Sequence, residues 1–257
     1  MGQQNTGHAQ NVAMFKEVII ILTNMNGKWN PVNDKLKLPN LAARHVACDT
    51  KLSTVNDAIA ADKIKTAARA NAYDPLNMLV RRVVAAMKSC EMDAAVIDRA
   101  KSVKDLIDGL NVNLMAAKRR REAVKRELLL VTEGGVVPEA PKTHSVSQQS
   151  FDEKLSNFKK LIALLDTAGN YATNQPDLSI AALNAFADTL SVANHETNDA
   201  YDLLDIQRRE RNEMLYGDTN SIDSIVALIK NELESVESKQ GTNYKKAIAY
   251  RFVKVND

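Results

Sequence analysis

The stretch FKEVIIILTNMNGKWNPVNDKLKLPNLA, residues 15–42, decides the fold because a related stretch returns 143 residues later. The second stretch is FKKLIALLDTAGNYATNQPDLSIAALN, residues 158–184. In both, apolar residues recur at i, i+3, i+4 and i+7, which is the stripe of an amphipathic helix. The pattern predicts that eight side chains are buried: Phe15, Val18, Ile19, Leu22, Phe158, Leu161, Ile162 and Leu165.

A polar loop with an aromatic ring and a proline follows each stripe. The first loop, GKWNPVND, contains Trp29, and the second, GNYATNQPD, contains Tyr171. We predict both rings to be exposed interaction residues, since aromatic side chains are enriched at protein interfaces. The alternative is that each ring packs its own loop onto the helices, and the sequence leaves both interpretations open.

A long Ala-rich segment follows each loop and ends at a tyrosine, Tyr73 or Tyr216. Ala has the highest helix propensity, so each segment is predicted to be one helix of about 33 residues, or roughly 50 Å. Pro75 and Gly217 then precede a third helix in each copy. Long helices joined by short turns typically pack antiparallel. The predicted fold is therefore all-α, with two tandem related helical-bundle repeats whose long helices are antiparallel.

The repeat also sets the predicted domain boundaries. Residues 1–131 form a first repeat with a basic helical extension, residues 132–150 form a linker rich in Gly, Pro and Ser, and residues 151–257 form the second repeat. Ser150 and Glu153 have the spacing of a capping box at the start of the second repeat. Near the end of the chain, Gly241 and Asn243 are predicted to interrupt the last helix.

Charge is distributed in two opposed local clusters, although the net charge is only +2. A net charge this small gives no overall field toward nucleic acid or membrane. The basic cluster lies within residues 118–126, and the acidic cluster begins at residue 196 on the second long helix. The candidate interaction residues are Lys118, Arg119, Arg120, Arg121, Lys125, Arg126, Glu196, Asp199, Asp202 and Asp205, together with the two loop rings.

These clusters predict a non-enzymatic helical scaffold or interaction protein that associates with itself through opposed basic and acidic helix faces. One alternative is a membrane-active protein of the pore-forming type, with the apolar stretch LLLVTEGGVV, residues 128–137, as its inserting segment. The other is a nucleic-acid-associated protein that binds phosphates through residues 118–126. The partner is thus another protein or a second copy, with nucleic acid and membrane as weaker candidates.

No motif in the sequence indicates catalysis, a cofactor or a metal. His195 and Asp199 have the i, i+4 spacing of paired ligands, but no Glu-x-x-His motif accompanies them. Cys48 lies one helical turn after His45, yet it belongs to an Ala-rich helix and is predicted to be a small core residue. Cys48 and Cys90 do not form a CxxC pair, so both are predicted to be buried thiols of a reducing compartment.

Several segments resemble a group of duplicated helical proteins of Bacteroidota-type bacteria. The segments that carry the resemblance are QNTGHAQNVAMF, the WNP loop, SQQSFDEKLSNFKKLI, RRERNEMLYGD and NYKKAIAYRF. The resemblance implies a bacterial cytoplasmic protein and carries over no catalytic or ligand residue. A cytoplasmic location also agrees with the first ten residues, which do not show the pattern of a signal peptide.

Overall fold

A computed structural model describes residues 4–109, 150–217 and 219–255. Within these ranges all regular secondary structure is helical and no strand occurs, so the all-α prediction is confirmed. The helices are α1 Gln4–Thr23, α2 Leu38–Tyr73, α3 Leu76–Ser89, α4 Ala94–Asp108, α5 Phe151–Ala168, α6 Ile180–Tyr216, α7 Ile222–Glu237 and α8 Thr242–Ala249, with short 3₁₀ turns at Asp34–Leu36 and Pro176–Leu178.

The long helices end where the sequence predicts and begin slightly earlier. α2 has 36 residues and α6 has 37, and they end at Tyr73 and Tyr216. Both helices begin at the residue that follows the C-cap of a 3₁₀ turn, so each turn is followed directly by a long helix. Each polar loop therefore contributes a short helical turn of its own.

Local capping explains where several other helices begin and end. The Ser150 side chain accepts a hydrogen bond from the Glu153 N–H at 3.1 Å, which confirms the predicted N-cap of α5. α5 stops at Gly169, whose φ of 69° is left-handed. The prediction that Asn243 interrupts the last helix is wrong, because Asn243 lies inside α8. The interruption is at Gly241, where the N-cap of α8 is found.

The predicted stripes of the two repeats form parts of the core. Seven of the eight predicted side chains are buried, and Ile19 is partly buried against them. Phe15 and Phe158, which open the two stripes, are both fully buried. The i, i+3, i+4, i+7 spacing therefore predicted the inward faces of α1 and α5.

The described residues group into two compact units. The first unit takes the chain up to Ile64 and from Asp199 onward. In it, α7 contacts α8, α1 and the 3₁₀ turn at Asp34–Leu36. Its apolar core is drawn from α1, the start of α2, the end of α6, α7 and α8, with Phe15, Leu22, Leu41, Leu215, Ile225 and Ile229 at its centre. A small cluster of Val55, Ala58 and Leu204 also belongs to this unit.

The second unit runs from Lys65 to Asn198. In it, α4 packs between α3 and α5, and the 3₁₀ turn at Pro176–Leu178 contacts α3. The core residues come from α3, α4, α5 and the first turns of α6, and they include Leu76, Val83, Met87, Ile107, Phe158, Leu165, Leu183 and Leu190.

Each unit is thus assembled from both halves of the sequence. In the first unit, the 3₁₀ turn at Asp34–Leu36, from the first half of the sequence, contacts α7, from the second half. In the second unit, the 3₁₀ turn at Pro176–Leu178, from the second half of the sequence, contacts α3, from the first half. These units are groups by contact, whereas the predicted boundaries at 131 and 151 divide the chain by sequence similarity, and those boundaries stay a prediction.

Candidate interaction surfaces

The two loop rings hold their loops in place. The Trp29 indole N–H donates to the Leu36 carbonyl at 3.0 Å, and the Tyr171 hydroxyl donates to the Leu178 carbonyl at 3.0 Å. Each ring therefore bonds the carbonyl seven residues ahead, at the end of its 3₁₀ turn. The prediction that Trp29 is exposed is wrong, since only 7% of it is accessible. Tyr171 is half-buried, so the packing alternative describes both rings.

Part of the acidic cluster is already paired with α2. In the second unit Lys65 lies 2.9 Å from a Glu196 carboxylate oxygen. In the first unit Lys51 lies 2.7 Å from Glu210, and its ammonium also donates to the Gln207 side chain. Exposed pairs of this kind contribute little free energy, but they satisfy charges that the sequence left unmatched. Glu196 is consequently a less available contact than its sequence position suggests.

The other three candidate acids, Asp199, Asp202 and Asp205, belong to the first unit. Asp205 pairs with Arg209 along the helix at 2.8 Å. Asp199 and Asp202 are exposed, and neither takes part in an ion pair within the described ranges. These two carboxylates are free to meet a cation from outside the described chain.

Apolar side chains accompany those two carboxylates. Leu203 is 49% exposed and Ile206 is 43% exposed. Positions 199, 202, 203 and 206 are three or four residues apart, so on a helix they share one face. The buried Leu204 points to the other side. We refer to Asp199, Asp202, Leu203 and Ile206 as the α6 face. It combines negative charge with accessible apolar surface.

Other predicted features fall outside the described residues. The basic cluster at 118–126, the apolar stretch at 128–137 and most of the linker at 132–150 all lie between residues 110 and 149. Their roles stay predictions. Among the described residues, no helix is both long enough and apolar enough to cross a lipid bilayer.

The described part of the chain contains no group of three metal-ligating side chains. His195 is exposed, as is Asp199 one turn later. Cys48 is buried, as predicted, and burial raises the pKa of its thiol to about 11, with nearby Arg44 opposing that shift. Cys90 is half-buried, not fully buried as predicted, and its thiol donates to the Ala172 carbonyl at 2.7 Å.

The two thiols should therefore differ in reactivity. At about pH 8 we expect Cys48 to react with an aromatic disulfide reagent at least about 100-fold more slowly in the folded protein than in denaturant. The reason is that the thiolate is the reactive species and burial makes it scarcer. Cys48→Ser should remove the slow phase. Equal reaction rates for the two thiols in the folded protein would contradict this.

The same pKa shift makes the stability of the fold depend on pH. Since the Cys48 pKa rises from 9.0 to about 11 on folding, the contribution of Cys48 to stability is complete below pH 9.0 and is lost as pH approaches 11.

Sequence reasoning missed a polar cluster in the first unit. The Asn11 amide nitrogen donates to the Tyr216 hydroxyl at 2.9 Å and to the Val253 carbonyl at 2.8 Å, and its oxygen accepts from the Val253 N–H at 3.4 Å. His8 is fully buried, with Nδ1 2.9 Å from the same Tyr216 hydroxyl. The only available signal was the placement of two polar residues on the inward side of the α1 stripe.

Arg69 and Arg211, which the comparison of the two sequence stretches aligns, have different surroundings. Arg211 is 1% exposed, and its Nε and Nη2 both donate to the Asn212 side-chain oxygen, at 3.1 and 2.9 Å. Arg69 lies over the Phe151 ring at 4.5 Å, a cation–π contact. Tyr73, which ends α2, packs edge-on against that same ring. The two arginines therefore make different kinds of contact.

No family model, no curated protein and no solved structure matches this chain. The surfaces above therefore have to be interpreted from their own geometry, and the resemblance drawn from sequence segments stays a prediction.

Proposed function

We propose that this chain is a non-enzymatic helical scaffold that associates with itself, the α6 face of one copy meeting the basic segment 118–126 of another. The observation that carries the proposal is the α6 face itself. Leu203 and Ile206 are accessible to water there, beside the two carboxylates of Asp199 and Asp202. An isolated acidic patch needs no partner, but exposed apolar side chains lower the free energy when a partner covers them.

The chemistry of the basic segment complements this face. Six Lys and Arg residues within 118–126 precede the apolar run LLLV at 128–131. Opposite charge accelerates encounter and selects the partner, whereas buried apolar area supplies most of the affinity. The basic residues 118–126 complement the carboxylates of the α6 face, and the apolar run LLLV complements its Leu203 and Ile206 side chains. A contact between different surfaces of identical copies need not close, and it can continue into a filament.

We also propose that the two repeats are structural equivalents with antiparallel long helices. In the first unit Arg44 of α2 donates to the Asn220 carbonyl, while Lys51, further along α2, pairs with Glu210. Residue numbers therefore rise along α2 while they fall along the segment of α6 and its following turn that α2 contacts, as in an antiparallel pair. The matching Trp29 and Tyr171 hydrogen bonds support equivalence of the repeats. We place the protein in the bacterial cytoplasm, to which its two free thiols are suited.

The test is the mass in solution at low and high salt, measured by size exclusion with light scattering. At low salt the wild type is expected to exceed the 28.3 kDa monomer. Asp199→Lys with Asp202→Lys should lower the low-salt mass to the value that the wild type has at high salt, because two attractions become repulsions. Reversal of Arg119, Arg120 and Arg121 to Glu in that background should restore assembly.

A matched control carries the same change in charge on another long helix. Asp49 and Asp57 are exposed on α2, so Asp49→Lys with Asp57→Lys alters net charge equally and should leave assembly intact. A mass unaffected by the Asp199 and Asp202 reversals would refute the α6 face as the contact. A wild-type monomer at both salt concentrations would refute self-association altogether.

A further inference from the structure

A short arm of the first unit is attached through an unusual hinge. α7 ends at Glu237, and α8 begins at Thr242. Between them Ser238 has φ 61° and ψ 173°, a backbone conformation found almost only in glycine. The Ser238 N–H still donates to the Glu234 carbonyl at 2.9 Å, so the chain turns sharply at this residue. We call residues 238–241 the hinge and residues 242–255 the arm.

The arm packs against α1 and α7 through apolar side chains. Ala247 is fully buried, and α8 contacts both helices. Tyr244, Tyr250 and Phe252 are partly buried against the same core. At the start of α8, the Glu237 carboxylate accepts from the Asn243 N–H at 3.1 Å. Burial of these side chains stabilises the arm in its docked position.

Beyond α8 the arm is extended, and α1 binds its main chain. Asn11 pairs its amide with both the C=O and the N–H of Val253, in the way one peptide group pairs with another. Gly7 leaves room for this approach, because a Cβ there would lie 2.7 Å from a Val255 methyl carbon. The Val253 side chain is 62% exposed, so the arm is held here by its backbone.

Nothing in these contacts requires that the arm belong to the same molecule. The Asn11 hydrogen bonds to the Val253 main chain and the burial of Ala247 are the same when the arm comes from a second copy. A short hinge held in an unfavourable conformation favours such exchange, because the strain is released when the hinge extends. When the arm docks on its own copy, Ser238 stays in its strained conformation. When the arm docks on a second copy, the hinge can extend and the strain is released.

We propose that the arm 242–255 is exchanged between two copies of this chain, each arm docking on α1 and α7 of the other. This contact is separate from the α6 face and does not depend on it. It is apolar and main-chain in character, so it should persist in about 0.5 M salt, where contacts between exposed charges are screened.

Two complementary variants test the exchange at high salt. We call the surface of α1 and α7 that the arm covers the groove. Ala247→Arg prevents the arm from docking and leaves the groove unchanged. Gly7→Val with Asn11→Leu leaves the arm unchanged, but it removes the Asn11 hydrogen bonds to Val253 and places a side chain against Val255. Each variant alone should be monomeric by native mass spectrometry. An equimolar mixture should give a one-to-one heterodimer, because the intact arm of the second variant docks on the intact groove of the first. A mixture that stays monomeric would overturn the proposal.

Hinge variants give a second measurement that does not depend on either of those proteins folding. Ser238→Gly makes the turn favourable within one copy, so the association constant of the exchanged dimer should fall by at least about tenfold. Deletion of Lys239 and Gln240 prevents the arm from folding back, so the dimer should predominate. If both hinge variants have the same dimer fraction as the wild type, the arm is not exchanged. Because all samples are in high salt, failure here is distinguishable from failure of the α6-face contact.

Discussion

Residues 1–131 and 151–257, produced as separate fragments, are expected to be largely unfolded alone and to become helical when mixed. The reason is that each core combines both halves. The first-unit core needs the α1 stripe and also the α7 residues Ile225 and Ile229. The second-unit core needs α3 and α4 as well as α5. A fragment that loses half of each core cannot offset the conformational entropy of ordering its helices.

Far-UV circular dichroism of each fragment and of the equimolar mixture measures this directly. The mixed fragments should approach the helical signal of the intact chain and elute as a single complex. The intact chain at equal concentration is the control for complete folding. If instead each fragment alone is fully helical and melts cooperatively, then 1–131 and 151–257 are independent domains, as the sequence repeat by itself predicts.

Phe15→Ala and Phe158→Ala should each lower the free energy of unfolding by about 3–5 kcal/mol. That is a large share of the roughly 5–15 kcal/mol by which a typical domain is stable. Both rings are fully buried, so the truncation leaves a cavity as well as losing apolar contacts. Phe158 also makes an edge-to-face contact with Phe186 at 5.8 Å. Because the two rings occupy separate cores, we expect each substitution to weaken mainly its own unit.

Hydrogen exchange followed by mass spectrometry resolves the two units. Phe158→Ala should raise exchange in peptides between 65 and 109 and between 150 and 198. Phe15→Ala should raise exchange before 64 and after 199. Met78, in α3, is 70% exposed, so Met78→Ala should change stability by no more than about 0.5 kcal/mol. Equal loss of protection across the whole chain from either Phe substitution would mean that the units do not unfold separately.

Local features of this fold were predictable from sequence because their causes are local. Apolar periodicity marked the buried faces of α1 and α5, and Ser150 marked the start of α5 through a side chain three residues from its partner. Tyr73 and Tyr216 marked the ends of the long helices because helix-breaking residues follow them. In each case the determining interaction lies within one or two turns of the chain.

The rest was not predictable because its causes are distant in sequence. Asn11 and Val253 are 242 positions apart, and no periodicity or motif couples them. Similarity between repeats indicated two domains in tandem, but it carries no information on which loop packs against which third helix. Trp29 was misassigned for a related reason. A polar loop predicts exposure, whereas the carbonyl that its indole reaches lies in a 3₁₀ turn that the sequence did not reveal.

The Trp29 hydrogen bond also has an optical consequence. Trp29 is the single tryptophan of the chain, and it lies buried in the first unit. Its counterpart in the second unit is a tyrosine, Tyr171, which absorbs and emits at shorter wavelengths. Intrinsic emission excited at the red edge of the absorption band therefore belongs to one unit alone. The protein carries a natural, site-specific fluorophore at the junction between the first polar loop and the core beneath it.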